Sequence, residues 1–539
     1  MTIFQHYYTS CEGKGFQTNA FTEGLDSDTI RFLERNGVYI PPVSMPSRPT
    51  EEELKDFPVS LSYLLLPNQR SVVINSVYVG KDYSGRFGNY FSHALVTDNY
   101  EKDIGSLLPI LFWDSQIWTT KESKSSELPP LERVEIGSSI NWDNVYNFLN
   151  EDNRLSFLPN LLTATLEGLK TKKRIVIVDS NLNIAMWIAA ITFTLPYGLA
   201  RQVTFTTYNK NPYMVEVLIC GTTSDSEFHF SAQEINYEYF VFDFENNRSS
   251  EIKETNPYTK LVIETIENGD FKLFDDFSEF YYEIVSLAPE SSYELFDLFA
   301  MYSVSKGKSI SEADWEKVIQ LITSYNLINL NPNKTEVVIE KLSEVSFWGK
   351  SLVDYVIGLC EKANQENVTK SIKEKTAKSF FNIVLWNYAP NVGANDLEDI
   401  LDKSKNINLE LLQTEDYEIR CLKLFQNAED VKKKITLFRL LKKAKLITPK
   451  STILENLLDD EIIPTITEYI TQQLFLEMMN TDFRPYFIKS LGEVLLYKYT
   501  SQEADIRIND ISNLISDDNI YNDLVSFAIQ HRRVDLYKD

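Results

Sequence analysis

Lys172 to Ala200 reads KKRIVIVDSNLNIAMWIAAITFTLPYGLA, and what this stretch forms decides the fold around it. Ile175–Val178 is continuously apolar, as a strand covered on both faces is, and Asp179 and Ser180 follow where a polar strand end can cap the next helix. The run Ile184–Ala200 carries no charge, but at 17 residues it is short for a membrane span and is broken by Pro196 and Gly198. A buried helix leading into a turn is the reading, with no membrane span. Two further strand-like stretches follow, RQVTFTTY (201–208) and MVEVLICG (214–221). Strand, helix and strand in that order predict a βαβ-like unit. RIVIVD also invites comparison with a magnesium-holding Walker B strand, but no phosphate loop accompanies it, so Asp179 is read as structural.

Working outward, residues 1–125 alternate short β-branched and aromatic runs with Gly/Pro clusters: TIFQHYY, VSLSYLLL, SVVINSVYV and NYFSHALV. One helix interrupts them, SDTIRFLERNG, with Ile30, Leu33 and Glu34 at helical spacing and Gly37 as C-cap. This is an α+β domain, mainly antiparallel β. Residues 126–255 form the α/β-like middle domain, ending in the aromatic strand NYEYFVFDF. Residues 256–539 are helix after helix, an all-α C-terminal array without a fixed period. Ser311 and Asp314 have capping-box spacing ahead of the stripe Trp315, Val318, Ile319 and Ile322, and Thr465 with Glu468 repeats the pattern before Ile466, Ile470 and Leu474.

The length of 539 residues is too great for one core, and a 43% apolar, 13% aromatic composition supplies several. With 78 acidic against 53 basic side chains the net charge is −25, which repels phosphate backbones and anionic lipid unless a local basic patch intervenes. Cys11, Cys220, Cys360 and Cys421 form no CxxC pair, as in a reduced, cytoplasmic protein, and the N-terminus lacks a secretory pattern.

Candidate chemistry is sparse. In SKGKSIS the P-loop glycine five residues before Gly307 is Tyr302, and the segment follows a helix, so it reads as an inter-helix loop. His6, Cys11 and His93 match no zinc spacing, and neither a metal nor a cofactor is expected. Within Lys81–Val96, KDYSGRFGNYFSHALV, Gly85 and Gly88 turn the chain, while alternation puts His93 on one face with Phe91 and Leu95, as a core histidine. Arg86 and Asn89 at the strand mouth are the candidate ligand or partner contacts, with Cys11 and His93 beside them. The alternative from another class is a hydrolase or transferase in which Cys11 and His93 form a nucleophile–base pair. A basic cluster, Lys432, Lys433, Lys434, Arg439, Lys442, Lys443 and Lys445, extends to Lys450. It suits an acidic protein surface, a neighbouring acidic helix of the same chain or, as a second alternative, nucleic-acid sensing.

Four segments, His6–Leu25 (HYYTSCEGKGFQTNAFTEGL), Asn36–Leu54 (NGVYIPPVSMPSRPTEEEL), Asp82–Val96 (DYSGRFGNYFSHALV) and Leu199–Pro212 (LARQVTFTTYNKNP), resemble in order and spacing the bacterial GTPase-associated protein family, type one. The resemblance covers residues 1 to 225 and extends to the helical remainder by layout. It implies a non-enzymatic scaffold, adaptor or regulatory subunit of an NTPase-centred bacterial conflict or antiphage system. The implied partners are a GTPase or other NTPase and the adaptor or effector proteins of the same operon.

Overall fold

A computed structural model describes residues 2–13, 15–66, 70–228, 237–287, 294–346, 348–428 and 431–447, together with 472–473, 475–477, 484–497, 499, 501–514 and 522. The second capping segment around Thr465 and Glu468, with Leu474 and Lys450, lies outside the described residues. The chain divides into two compact units, Met1–Glu283 and Ile284–Asp539.

The first unit is built on an eleven-stranded sheet among the described residues. Its strands are β1 (Ile3–Cys11), β2 (Gly15–Thr22), β3 (Ser60–Leu65), β4 (Ser71–Lys81), β5 (Phe87–Thr97), β6 (Glu127–Leu128), β7 (Arg174–Val178), β8 (Phe205–Thr206), β9 (Ile219–Thr222), β10 (Tyr239–Asp243) and β11 (Arg248–Ser249). They lie in the order β11-β10-β7-β9-β8-β3-β4-β5-β1-β2-β6. The antiparallel pairing of β1, β3, β4 and β5 and the parallel pairing of β7, β8 and β9 are what the sequence predicts; β2 joins antiparallel to β1, and β10 parallel to β7. The two regions are not separate sheets: β3 pairs antiparallel with β8 through Ser62↔Thr206 and Tyr63↔Phe205.

Helix α1 (Ser27–Asn36) starts where Asp26 accepts from the backbone N–H of Asp28 and Thr29 at 3.1 and 2.8 Å. It ends at Gly37 as expected, but for a different reason. Gly37 has φ −87°, so no left-handed residue is needed. A Cβ there would lie 2.4 Å from Ser92 Oγ, so the glycine lets the helix end approach β5. The turn after β4 is where positive φ matters: Gly85 sits at +83° in the hairpin, and Gly88 at +114° is the extra residue of a bulge between the pairs Lys81↔Phe87 and Gly80↔Asn89.

In the middle region, helix α2 (Leu158–Thr171) precedes β7, and helix α3 (Asn181–Phe193) connects β7 to β8. Ile175–Ile177 are fully buried, which is why this strand has no polar face. Helix α3 is buried all round: Ile184, Trp187, Ile188 and Ile191 are each 0% exposed, and each isoleucine contributes roughly 1.5–3 kcal/mol by leaving water. Trp187 stacks on Phe244 with centroids 4.6 Å apart. At 13 residues the helix is about 20 Å long, against about 30 Å of bilayer hydrocarbon. No helix among the described residues is long and apolar enough to cross a membrane. Asp179 accepts from Ser180 N–H (2.7 Å), Asn183 Nδ2 (2.9 Å) and Trp187 Nε1 (3.2 Å), tying the strand end to the first turns of α3.

The second unit is helical throughout its described residues. Helix α4 (Glu312–Ser324) begins with Ser311 as N-cap, accepting from Asp314 N–H at 3.2 Å, and buries Trp315, Val318, Ile319 and Ile322 as its spacing predicts. The loop before it, with Gly307 at φ +80°, follows a helix and not a strand. After α5 (Lys370–Phe380) the chain widens into a π-helix, Phe381–Tyr388. The Arg420 guanidinium lies 4.5 Å from the Phe381 ring and 4.6 Å from the Trp386 ring, and donates to Asn382 Oδ1 at 2.9 Å. Helices α6 (Ala394–Lys403) and α7 (Val431–Lys443) pack against each other.

Candidate functional site

The join between the two halves of the sheet opens into a cleft of about 1050 Å³ in the first unit. Alternation along β3 places Ser60, Ser62 and Leu64 on its floor, and the antiparallel pairing sets Thr206 of β8 opposite Ser62. These hydroxyls are satisfied among themselves. Ser62 Oγ donates to Thr206 Oγ1 at 2.8 Å, while Ser60 Oγ and Thr206 Oγ1 donate to the Tyr208 carbonyl at 2.7 and 3.1 Å. One wall is the segment after α1, held in place by two buried tyrosines: Tyr39 Oη donates to the Pro58 carbonyl at 2.8 Å, and Tyr208 Oη donates to the Ile40 carbonyl at 2.9 Å. Burial raises the pKa of both phenols, so they remain donors.

The rim is apolar and exposed. Val38 is 45%, Ile40 49%, Tyr213 37% and Met214 80% accessible, and all four border the cleft. Against this, the cleft collects more cations than anions in a strongly acidic chain: Arg35 in the last turn of α1, Lys172 at the C-cap of α2, Arg174 at the start of β7, and Lys210, beside Glu216 and Glu227. Arg174 is committed, donating to the Val215 carbonyl at 2.8 Å and to Tyr239 Oη, and Lys210 lies 3.4 Å from Glu227. Arg35 and Lys172 make no ion pair among the described residues. Asn36–Leu54 and Leu199–Pro212, two of the segments that carry the family resemblance, supply much of this lining.

The residues singled out from sequence lie elsewhere. Arg86 is at the tip of the β4–β5 hairpin, with its Nε on Asp82 Oδ2 at 3.2 Å and its side chain 73% exposed. Asp82 also accepts from the Ser84 hydroxyl at 2.7 Å and from the N–H of Arg86 and Ser84, and these bonds hold its carboxyl below the usual range. Asn89 is buried; its Oδ1 accepts from Ser10 N–H at 3.3 Å and Thr9 Oγ1 at 3.2 Å, closing the end of the β1–β5 ladder. His93 is 1% exposed, sits edge-on to Tyr7 and Trp118, donates from Nε2 to Gln5 Oε1 at 3.2 Å and accepts at Nδ1 from Thr119 N–H at 3.4 Å. Burial pushes its pKa down to about 3, and that of His6 to about 4. His93 pairs with Tyr7, four residues from Cys11, which puts Cys11 about 13 Å away along the strand. The structure therefore does not bring the thiol and the imidazole together. Among the described residues no three His, Cys, Asp or Glu side chains are placed to hold a metal ion.

In the second unit the basic residues lie on and just beyond α7, and several face acidic or carbonyl oxygens of the same unit. Lys432 Nζ is 3.3 Å from Glu398, Lys433 donates to the Pro390 carbonyl at 2.9 Å, Lys443 to the Leu401 carbonyl at 2.6 Å, and Arg439 grips Glu477 with two bonds of 2.8 Å. Lys434 and Lys442 also have partners, and Lys445 is exposed.

Comparison with known proteins places names beside this geometry. Residues 2–134 match GTPase-associated protein 1, N-terminal domain type 2, and residues 145–246 match GTPase-associated protein 1, middle domain. Two curated relatives are forms of SaeB from Mycolicibacterium smegmatis, a protein named for ESX-1 scaffolding and assembly. The form in strain MKD8 is 28% identical over 206 residues, covering 36% of this chain and 25% of the relative. The form in strain ATCC 700084 / mc(2)155 is 30% identical over 186 residues, covering 32% and 22%. The chain thus spans about a quarter of the length of the curated relatives it matches. No solved structure matches.

Proposed function

We propose that this chain, which carries the N-terminal and middle domains of the GTPase-associated protein 1 family, is a non-enzymatic scaffold or adaptor that docks a GTPase through its first unit. The observation that carries this reading is the match of two consecutive family domains to residues 2–134 and 145–246. The names of the mycobacterial relatives, which concern scaffolding and assembly, point the same way. The cleft adds a physical reason: the hydroxyls of Ser60, Ser62 and Thr206 are spent within the protein, while its rim presents apolar side chains and cations of the kind that bind protein surfaces. On this reading the chain works in the cytoplasm, in an NTPase-centred bacterial conflict or antiphage system, beside adaptor or effector proteins of the same operon.

The test is co-expression with the GTPase encoded nearest to it, followed by size-exclusion chromatography with light scattering. A complex of defined stoichiometry whose formation depends on the nucleotide bound to the GTPase is the expected result. Independent elution of the two proteins in both GDP and GTP analogue would overturn the reading.

A further inference from the structure

We infer that the cleft between α1, β3 and β8 takes an extended, acidic and apolar segment of a partner polypeptide; this rests on the scaffold reading and names the chemistry of what is docked. Size comes first. At about 1050 Å³ the cleft lies just above the roughly 300–1,000 Å³ that small-molecule sites occupy. Its floor offers no spare buried donor, because each of Ser60, Ser62 and Thr206 already donates its hydroxyl proton within the protein. A phosphate or nucleotide would find no such donor there.

The rim supplies what the floor lacks. Val38 and Ile40 from one segment and Tyr213 and Met214 from another, some 170 residues away, expose apolar area around a single mouth. Such a patch on a chain of net charge −25 marks an interface. The charge at the mouth is opposite in sign to that of the molecule as a whole: Arg35, Lys172, Arg174 and Lys210 outnumber Glu216 and Glu227, and Arg35 and Lys172 carry no ion pair among the described residues. An acidic segment is repelled by the general surface and attracted here, which gives register as well as affinity. Alternating carboxylates and large apolar side chains match this arrangement, with carboxylates on Arg35 and Lys172 and apolar side chains against the rim.

The experiment selects random 12-residue peptides displayed on phage against the full chain, then measures a fluorescein-labelled synthetic peptide of the selected sequence by anisotropy. Selected sequences should combine Asp or Glu with Leu, Ile, Phe or Tyr. The dissociation constant should rise at least tenfold in Arg35→Glu/Lys172→Glu and stay within about threefold in Arg35→Lys/Lys172→Arg, at unchanged melting temperature. Val38→Asp/Met214→Asp, at exposed positions, gives a second variant should the first fail to fold, with the same loss expected. No selected sequence, basic selected sequences, or equal binding to the charge-reversed variant would overturn the proposal. So would displacement of the peptide by millimolar inorganic phosphate or ATP, which would make this a small-anion site. Peptide binding lost in these variants with the GTPase complex intact leaves the cleft proposal standing and moves the GTPase elsewhere. A GTPase complex lost without any selected peptide leaves the scaffold reading and removes the segment.

Discussion

Ser62 on β3 donates its hydroxyl proton to Thr206 on β8 at 2.8 Å, at the one register position pair where a serine and a threonine face each other across the join of the antiparallel and parallel halves of the sheet. Both are buried at the floor of the cleft. Thr206→Val removes the acceptor while keeping the shape, so it should cost about 1–3 kcal/mol of unfolding free energy. Ser62→Ala/Thr206→Val should cost less than the sum of the single changes, because the double variant leaves no orphaned hydroxyl. Urea denaturation of the four proteins measures the coupling; strict additivity would show that the pair does not act as a unit.

Gly221 of β9 tests how closely α3 seats on the sheet. A Cβ at this position would meet Ile184 Cγ2 at 2.4 Å and the Thr207 carbonyl oxygen at 2.4 Å. The carbonyl belongs to the backbone beside β8 and has no rotamer to yield, so Gly221→Ala should destabilise by at least about 2 kcal/mol. A melting temperature equal to that of the wild type would refute the tight seating.

Arg86 and Asn89, neighbours in sequence and both candidates for contact, separate by role. Arg86→Ala removes a mostly exposed side chain and should change stability by less than about 0.5 kcal/mol. Asn89→Ala leaves Ser10 N–H without its buried side-chain acceptor, while Thr9 Oγ1 keeps the Tyr90 carbonyl at 2.8 Å, and should cost about 1–3 kcal/mol. Similar melting temperatures for the two variants would contradict this assignment.

The buried histidines set a pH dependence. His6 and His93 are held neutral, with pKa values pushed down to about 4 and about 3, whereas in the unfolded chain each titrates near 6.5. Below about pH 6.5 the unfolded state binds protons that the folded state refuses. Stability is therefore fully present above pH 6.5 and is lost as pH falls toward 4 and then 3, by on the order of 3 kcal/mol per histidine. His6→Gln/His93→Gln should be less stable at pH 7 yet lose less of its stability between pH 6.5 and 4. Urea midpoints against pH would contradict the account if wild type and variant ran parallel.

How much of this was legible depended on whether the deciding forces were local. Ile175–Val178 and the helix after it announce themselves because burial on all sides needs an unbroken apolar run, and His93 declares its face through alternation with Phe91 and Leu95. Strand β2 gives little sign, since Gly15–Thr22 is rich in polar residues and is held in place by its register with β1. RQVTFTTY reads as a full strand, yet β8 is only Phe205–Thr206, because flanking side chains take over the bonding: Leu218 N–H donates to Thr204 Oγ1 and Leu61 N–H to Thr207 Oγ1. The cleft was not legible at all. Its lining comes from residues 35–40, 60–64, 168–174 and 202–218 with Glu227, each an ordinary loop, helix end or strand end by itself, and the β3–β8 pairing joins the two halves at its floor. The glutamates facing Lys432 and Arg439 were hidden in the same way, 34 and 38 positions distant in the chain.

If partner proteins dock at the cleft of the first unit, the cleft is where exchange slows on binding, and hydrogen–deuterium exchange of the full chain, alone and with the co-expressed GTPase, reads this out. Slowed exchange at Val38–Ile40 and at Asn209–Met214 in the complex is the predicted result. Protection confined to the helical unit, or none anywhere in a complex shown to form, would contradict it.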